Sequence, residues 1–147
     1  MSEYNIFKEA MVAYSAKEMY SLVNDLVSYP EFVPWCVQGE VVSQTETEMV
    51  GRLTFSSLGQ CYVLETRNTL EPNKAIILHL EKGPLSSLEG SWRFQALDGG
   101  GCHVCLTLDF QASDALVARL FSPFFHRVSS GLVSTFVRRA DAVYGKK

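Results

Sequence analysis

The amino-acid sequence predicts an α+β fold in which a curved antiparallel sheet wraps around one long C-terminal helix. Between residues 36 and 111, apolar runs recur every ten to thirteen residues and alternate with period two inside each run. That is the pattern of antiparallel strands with one dry face and one wet face. After Asp114 the period changes, and Phe124, Val128, Leu132, Phe136, Ala140 and Val143 follow at helical spacing. A sheet that is apolar on one face needs a cover, and this helix is the only element large enough to supply it.

The elements follow in order. Residues 5–13 predict a first strand, with Ile6, Ala10 and Val12 among polar neighbours. Ser15 predicts an N-cap, because Glu18 stands at capping-box spacing and Met19, Leu22, Val23 and Leu26 recur at helical intervals. This helix is expected to stop near Ser28, since Pro30 biases Tyr29 away from the helical region. Residues 29–35, Tyr-Pro-Glu-Phe-Val-Pro-Trp, predict a connector bracketed by two prolines. Six strands then run to residue 111, punctuated by Leu58-Gly59, Pro72-Asn73, Gly83-Pro84 and Asp98-Gly99-Gly100-Gly101. In the last of them Cys102, Val104, Leu106, Leu108 and Phe110 share one face, and His103, Cys105, Thr107 and Asp109 the other. Asp114 predicts the cap of a short helix ending near Phe121. Ser122 and Pro123 predict the N-cap and first position of the long helix, which stops at Gly145 after about 22 residues, or ~33 Å. A sheet that bends more than its helix can fill leaves a hollow.

The 147 residues fit one domain, 1–147. A hydrophobic share of 47% and a charged share of 20% exclude a disordered or collagen-like chain. Thirteen Lys and Arg against sixteen Asp and Glu give −3, which argues against a nucleic-acid coat and a polybasic anchor. No DNA partner is expected. No run approaches the ~18 apolar residues of a membrane span. The N-terminus lacks a basic stretch followed by an apolar run, so no secretory signal is expected. A cytoplasmic location follows, with Cys36, Cys61, Cys102 and Cys105 as free thiols.

The charge is uneven. Residues 1–113 carry seven cations against fourteen anions. Residues 114–147 carry six (Arg119, Arg127, Arg138, Arg139, Lys146 and Lys147) against two. One reading is a solvated helix face whose cations favour the helix C-terminus. The other is a docking edge for RNA, or for transient contact with an anionic membrane surface.

Catalytic and metal motifs are weak. Cys102-His103-Val104-Cys105 matches C-x-x-C, but positions i and i+3 of a strand point to opposite faces, so the two sulfurs do not converge. His79, His103 and His126 are spread over two strands and a helix. Gly99-Gly100-Gly101 lies in a hairpin turn and opens no helix, so it predicts no phosphate cradle. Glu65 and Glu81 read as solvent-facing strand positions, with a cavity-facing role as the alternative. No nucleophile, base and orienter come together, and the chain reads as a non-enzyme without catalytic residues or metal.

The seventeen aromatics are more informative. Tyr29, Phe32 and Trp35 sit on the connector, where large apolar groups are unusual. Trp92 and Phe94 lie on the core face of a strand, and Phe121, Phe124 and Phe125 crowd the start of the long helix. A packed core accounts for them. So does a ligand cavity with an aromatic mouth, which the architecture favours.

Four stretches then resemble one family: Ser28 to Cys36, Thr66-Arg-Asn-Thr-Leu70 with Pro72-Asn73, Gly83-Pro-Leu85 with Leu88 to Phe94, and Phe136 to Gly145. Together they resemble the coenzyme Q-binding, START-like family of the polyketide cyclase (SRPBCC) superfamily, from about residue 4 to residue 145. The resemblance implies the helix-grip fold. It also implies a hydrophobic tunnel that binds ubiquinone or another polyisoprenoid lipid in support of respiration, without catalysis and with no cofactor beyond that ligand. On this reading Phe55, Trp92, Phe94, Phe124, Val128 and Leu132 line the tunnel and Phe32 and Trp35 guard its mouth; Gly131 allows close approach by the ligand, by another strand or by a neighbouring chain. For bacterial members the resemblance implies, alternatively, binding to the large ribosomal subunit that blocks subunit association. Such docking is expected to run through Arg138 and Arg139. The turn Ser56-Ser57-Leu58-Gly59-Gln60 lacks a basic residue, which argues against an RNA contact there.

Overall fold

Period-two alternation produces seven strands in the computed structural model, which describes residues 3–145. They are β1 (Glu3–Val12), β2 (Cys36–Gln44), β3 (Glu48–Ser57), β4 (Gln60–Glu71), β5 (Ala75–Lys82), β6 (Ser87–Ala96) and β7 (Cys102–Gln111). They form one sheet in the order β1-β7-β6-β5-β4-β3-β2, and every neighbouring pair is antiparallel. β2 to β7 each pair with the strand next in sequence, while β1 closes the far edge against β7, Glu3 opposite Gln111 and Val12 opposite Cys102. Register shifts between Cys36 and Gln38, Val41 and Ser43, and Glu65 and Thr66 add local twist, which bends the sheet. The concave face carries the core: Ile6, Phe55, Leu64, Ile76, Trp92, Leu106 and Phe110 are all buried.

α1 (Ala16–Asn24) begins as the sequence predicts. The Ser15 hydroxyl accepts from the Glu18 N–H, and the Glu18 carboxylate accepts from the Ser15 N–H. The end differs. α1 stops at Asn24 and the chain tightens into a 3-10 segment, Leu26–Glu31, with Pro30 inside it. The expected loop at 29–35 is therefore half helical. Proline lacks only an N–H, and a short 3-10 turn has few bonds for it to break.

The 3-10 segment lies directly on β2. A Cβ on Gly39 would stand 1.9 Å from the Leu26 carbonyl oxygen, so two backbones meet where a side chain would separate them. The Leu26 side chain in turn occupies the space above Gly51, where a Cβ would lie 2.2 Å from its Cδ1.

The C-terminal third is helical, but divided at a different place from the one expected. α2 (Leu116–Ser130) runs through Ser122 and Pro123 without interruption, and α3 (Leu132–Tyr144) follows after Gly131. Ser122 is not a cap: its hydroxyl donates to the Ala118 carbonyl at 2.7 Å, inside the helix. Nor does Asp114 cap α2, whose N-cap position is Ala115, with the Ser113 hydroxyl accepting from its N–H. The interruption falls instead where two effects coincide. The buried Ser129 hydroxyl donates to the Phe125 carbonyl at 2.6 Å, a back-bond that bends helices. Gly131, two residues on, has the weakest helix propensity after proline.

Nothing crowds Gly131. An added Cβ there would meet only the Val128 and Arg127 carbonyls at 3.8 and 4.0 Å, ordinary contact. Its φ of −98° is accessible to any residue. Gly131→Ala is therefore expected to stabilise the protein by about 0.5–1 kcal/mol. Gly39→Ala is expected to destabilise it by about 2 kcal/mol or more, because the 3-10 segment must lift off the sheet. Urea midpoints of the two variants would move in opposite directions; movement in the same direction would contradict this account of the helix break.

Candidate functional site

Between the concave sheet and the two C-terminal helices lies a hollow that the side chains do not fill. Val23 and Asn24 from the end of α1 line it, with Leu26 and Tyr29 from the 3-10 segment and Val33 beyond it. β3 contributes Gly51, Leu53 and Phe55, β4 contributes Leu64, Thr66 and Asn68, and β5 contributes Ile76 and Leu78. Leu88 and Trp92 of β6, Leu106 and Leu108 of β7, Phe125 and Val128 of α2, and Leu132 beside the helix break complete the wall. The non-atom space, counted out to the solvent at its mouth, is about 780 Å³, and about 90 Å³ of it admits the centre of a water molecule.

Its chemistry is almost wholly apolar. The polar groups of the lining belong to Asn24, Tyr29, Thr66 and Asn68, with the indole N–H of Trp92. The Tyr29 hydroxyl donates to the Val23 carbonyl, and burial pushes its phenol far above the ordinary range, so it stays protonated. The lining holds no carboxylate, imidazole or thiol. Among the described residues, no three His, Cys, Asp or Glu side chains gather where they could hold a metal ion.

Four of the eight residues expected at the ligand site, Phe55, Trp92, Val128 and Leu132, line this hollow. The other four do not. Phe94 is buried one step beyond the wall, stacked on Trp92 at 6.3 Å and edge-on to Tyr20 at 5.9 Å. Phe124 belongs to an aromatic cluster with Trp35, Phe55 and Tyr62, at centroid distances of 5.7, 6.1 and 5.8 Å, which closes one end. Phe32 packs edge-on against Tyr29 and Phe136, at 5.9 and 5.2 Å. Trp35 is 43% exposed and has a left-handed backbone, φ 63°, with its carbonyl accepting from the Ser56 N–H at 2.9 Å. That conformation costs a non-glycine residue about 1–2 kcal/mol.

Glu65 and Glu81 both lie on the convex face, away from the hollow. Glu81 pairs with Arg67, whose hydrogen bond holds its carboxyl below the usual range. Glu65 is only 5% exposed and pairs with Arg52 at 3.0 Å, so it is buried without facing a cavity. Cys102 is buried and Cys105 half-buried on the two faces of β7, as alternation requires, and all four cysteines are free. Asn68 was missed by the pattern of aromatics. Its signal was available: on β4 the face running Tyr62, Leu64, Thr66, Asn68 and Leu70 is apolar except at two places.

The chain matches the polyketide cyclase / dehydrase and lipid transport family over residues 12–137. It is 38% identical over 141 residues to a ribosome association toxin RatA of Vibrio cholerae, covering 96% of this chain and 98% of the relative. It is 29% identical over 145 residues to the mitochondrial coenzyme Q-binding protein COQ10 homolog B of Xenopus laevis, covering 93% of this chain and 58% of that one. Among solved structures, the Zhui aromatase/cyclase of Streptomyces sp. R1128 superposes with a TM-score of 0.80 at 18% identity, over 98% of both chains. That likeness shows the helix-grip fold, a curved sheet closed by C-terminal helices.

The two arginines expected to touch RNA are not equivalent. Arg138 is exposed and reaches only the Thr135 hydroxyl, at 3.4 Å. Arg139 is engaged within the protein: its guanidinium lies 4.7 Å from the centre of the Phe32 ring and bonds Glu31 at 3.0 Å. It clamps α3 to the 3-10 segment. Arg119 and Arg127 are exposed on α2. Lys146 and Lys147 lie outside the described residues. Arg139→Ala is accordingly expected to lower stability by about 1–2 kcal/mol, through the lost cation–π contact and ion pair. Arg138→Ala should stay within ~0.5 kcal/mol of the parent. Chemical denaturation of both variants checks the difference.

Proposed function

Because the chain belongs to the polyketide cyclase / dehydrase and lipid transport family, we propose that it binds ubiquinone or a related polyisoprenoid lipid without transforming it, in support of respiration. The observation that carries this reading is the apolar hollow beneath the helix break, walled by five strands, the three helices and the 3-10 segment and lacking any acid or base that titrates near neutrality. The likeness to a coenzyme Q-binding protein supports the choice of ligand. On this reading the ring end enters the apolar hollow and the isoprenoid chain leaves through its mouth.

Energetics support the same division. Burying an aromatic-sized ring gains about 4–6 kcal/mol. Loss of rigid-body freedom consumes about 4 kcal/mol or more. The ring alone therefore binds weakly, and the emerging chain, at about 0.8 kcal/mol per buried methylene, must supply the rest. The setting is the cytoplasm, where the four thiols remain reduced.

Trp92 lines the hollow and Trp35 does not. A Trp35→Phe variant titrated with decylubiquinone should therefore show saturable quenching of Trp92. Val128→Trp, which fills the hollow, should lose at least tenfold in affinity. Lipid extracted from protein purified from a quinone-containing host should contain ubiquinone. The absence of both quenching and extracted quinone would end this reading.

A second reading has its own support. Relatives 34–38% identical over nearly the whole chain carry the name ribosome association toxin. On this reading the chain docks on the large ribosomal subunit and blocks subunit association through its exposed cations, Arg119, Arg127 and Arg138. Binding of this kind releases counterions from phosphates and weakens steeply with salt, whereas apolar ligand binding does not. The Arg127→Glu, Arg138→Glu double variant should lose co-sedimentation with large subunits at low salt while its ligand affinity stays constant. Wild-type protein that fails to co-sediment at low salt would remove the ribosomal reading and leave the lipid reading in place.

A further inference from the structure

Antiparallel order brings the entry to β2 at Trp35, the β3–β4 turn at Leu58 and Gly59, and the entry to α2 to the same end of the sheet. The three segments touch. The Trp35 carbonyl accepts from the Ser56 N–H, and the Trp35 ring stands edge-on to Phe124 of α2 at 5.7 Å. Tyr62, on the strand leaving the turn, packs against Phe121 and Phe124 at 4.9 and 5.8 Å. Aromatics thus close the inner side of this end. Its outer side is apolar too: Leu58 is 100% exposed, Leu116 68%, and Val117 and Leu120 more than half. Residues 32–39, 53–64 and 115–125, which build this end, hold one charged residue, Arg119. At the chain's 20% share of charged residues, those stretches would hold about six.

Packing accounts for none of this exposure. Leu58 and Gly59 have φ of 52° and 78°, the left-handed pair of a tight hairpin turn that asparagine and glycine favour. Leucine bears the left-handed penalty there, and its side chain buries no surface in return. Asparagine would remove both costs. A helix that is apolar all round is a buried helix. From Leu116 to Phe125, α2 is apolar toward the sheet at Ala118, Phe121 and Phe125, and toward solvent at Leu116 and Leu120. Single exposed apolar side chains are ordinary, but a contiguous set marks an interaction site.

Charge and shape select the occupant. α2 contains no carboxylate, although Asp114 precedes it by two residues. Arg127 follows Leu116 and Leu120 along one exposed stripe, with Arg119 beside it. An apolar stripe that ends in cations matches the level of a bilayer where acyl chains meet anionic headgroups. Arginine stems reach back from that level to phosphates, and tryptophan settles at it. Leu58 stands at an apex. A fluid bilayer closes around separate protrusions, whereas a protein partner needs a recess matched to each. We infer that the end formed by Trp35, Leu58 and the first half of α2 inserts shallowly into an anionic bilayer. This goes beyond the reading of the hollow, since it assigns an outer surface and requires no quinone.

Flotation with quinone-free vesicles of phosphatidylcholine and phosphatidylglycerol tests the inference. Wild-type protein should float with them, and should continue to do so at about 1 M salt, where charges are screened beyond ~3 Å. Leu58→Asn should lower the partition constant about tenfold, the value of one leucine withdrawn from an apolar phase. Its melting temperature should not fall, because the turn is relieved of strain; that separates docking from a structural role. The Leu116→Ser, Leu120→Ser double variant should lose about a hundredfold. Vesicles with brominated acyl chains should quench the emission of wild-type protein but not of Trp35→Phe, whose remaining Trp92 is buried. Absence of flotation, or flotation unchanged in Leu58→Asn, would overturn the inference. So would binding abolished by salt, which means adsorption by charge alone. A dimer in sedimentation velocity that Leu58→Asn dissolves, with no flotation, would make a second copy the occupant. Flotation without binding of decylubiquinone would leave this surface in place and remove the quinone reading. Binding of decylubiquinone without flotation would do the reverse.

Discussion

An antiparallel sheet bent far enough to enclose a helix has more concave surface than that helix can cover. A helix is about 10–12 Å across with its side chains and nearly straight, whereas the sheet curves away on both sides. Here seven strands present one continuous apolar face, and three devices bring cover to it. The C-terminal helix is divided at Gly131, so that its halves need not share an axis. The 3-10 segment presses its backbone onto β2 at Gly39 and drops Leu26 over Gly51. An aromatic cluster around Phe55, Phe121 and Phe124 seals one end. What these do not reach is the cavity, a remainder set by the mismatch in curvature.

The convex face works by different rules. Its cross-strand pairs of Arg67 with Glu48 and Glu81 are exposed and each contributes about 0–1 kcal/mol, while Arg52 neutralises the buried Glu65. They align strands without deciding stability, which resides on the concave side. Exposed cations sit on the helices, and anions predominate over the first 113 residues. Screening within ~8 Å at physiological salt allows these regions to act separately on a domain of this size. A lipid in the hollow and a polyanion at the helices therefore need not compete.

Much of the fold was legible because it rests on local periodicity. Alternation assigned Cys102 to Phe110 of β7 to their faces, and the reciprocal Ser15–Glu18 pattern located the start of α1. Where reading failed, a local rule met a tertiary one. Ser122-Pro123 has the chemistry of a helix start, yet packing of Phe121 and Phe125 against the sheet keeps the helix continuous through it. Pro30 has the chemistry of a stop, yet the chain continues as a 3-10 turn because Gly39 lets it rest on β2. For the site, large aromatics drew attention to Phe32, Trp35, Phe94 and Phe124, which stand outside the wall of the hollow. Size in a sequence does not tell a wall from its support. Arg139 looked like free charge because Phe32, its partner, lies more than a hundred residues away.

The placement of β1 has a consequence for how the chain reaches this structure. β2 to β7 can form one hairpin at a time as they are made, each closing a short loop. β1 is made first and pairs last, since its partner Cys102 follows Val12 by about 90 residues. Closing so large a loop costs roughly 2–3 kcal/mol more entropy than closing a hairpin. At ordinary rates of translation the strand also waits on the order of 10 s for its partner. During that interval Ile6 has no β7 to pack beside, and Phe7 and Met11, exposed even in the finished fold, stand on an unpaired edge. The polar and charged residues Asn5, Lys8 and Glu9 interrupt that edge and make it a poor template for another chain. Their contribution is thus greatest before the native state exists.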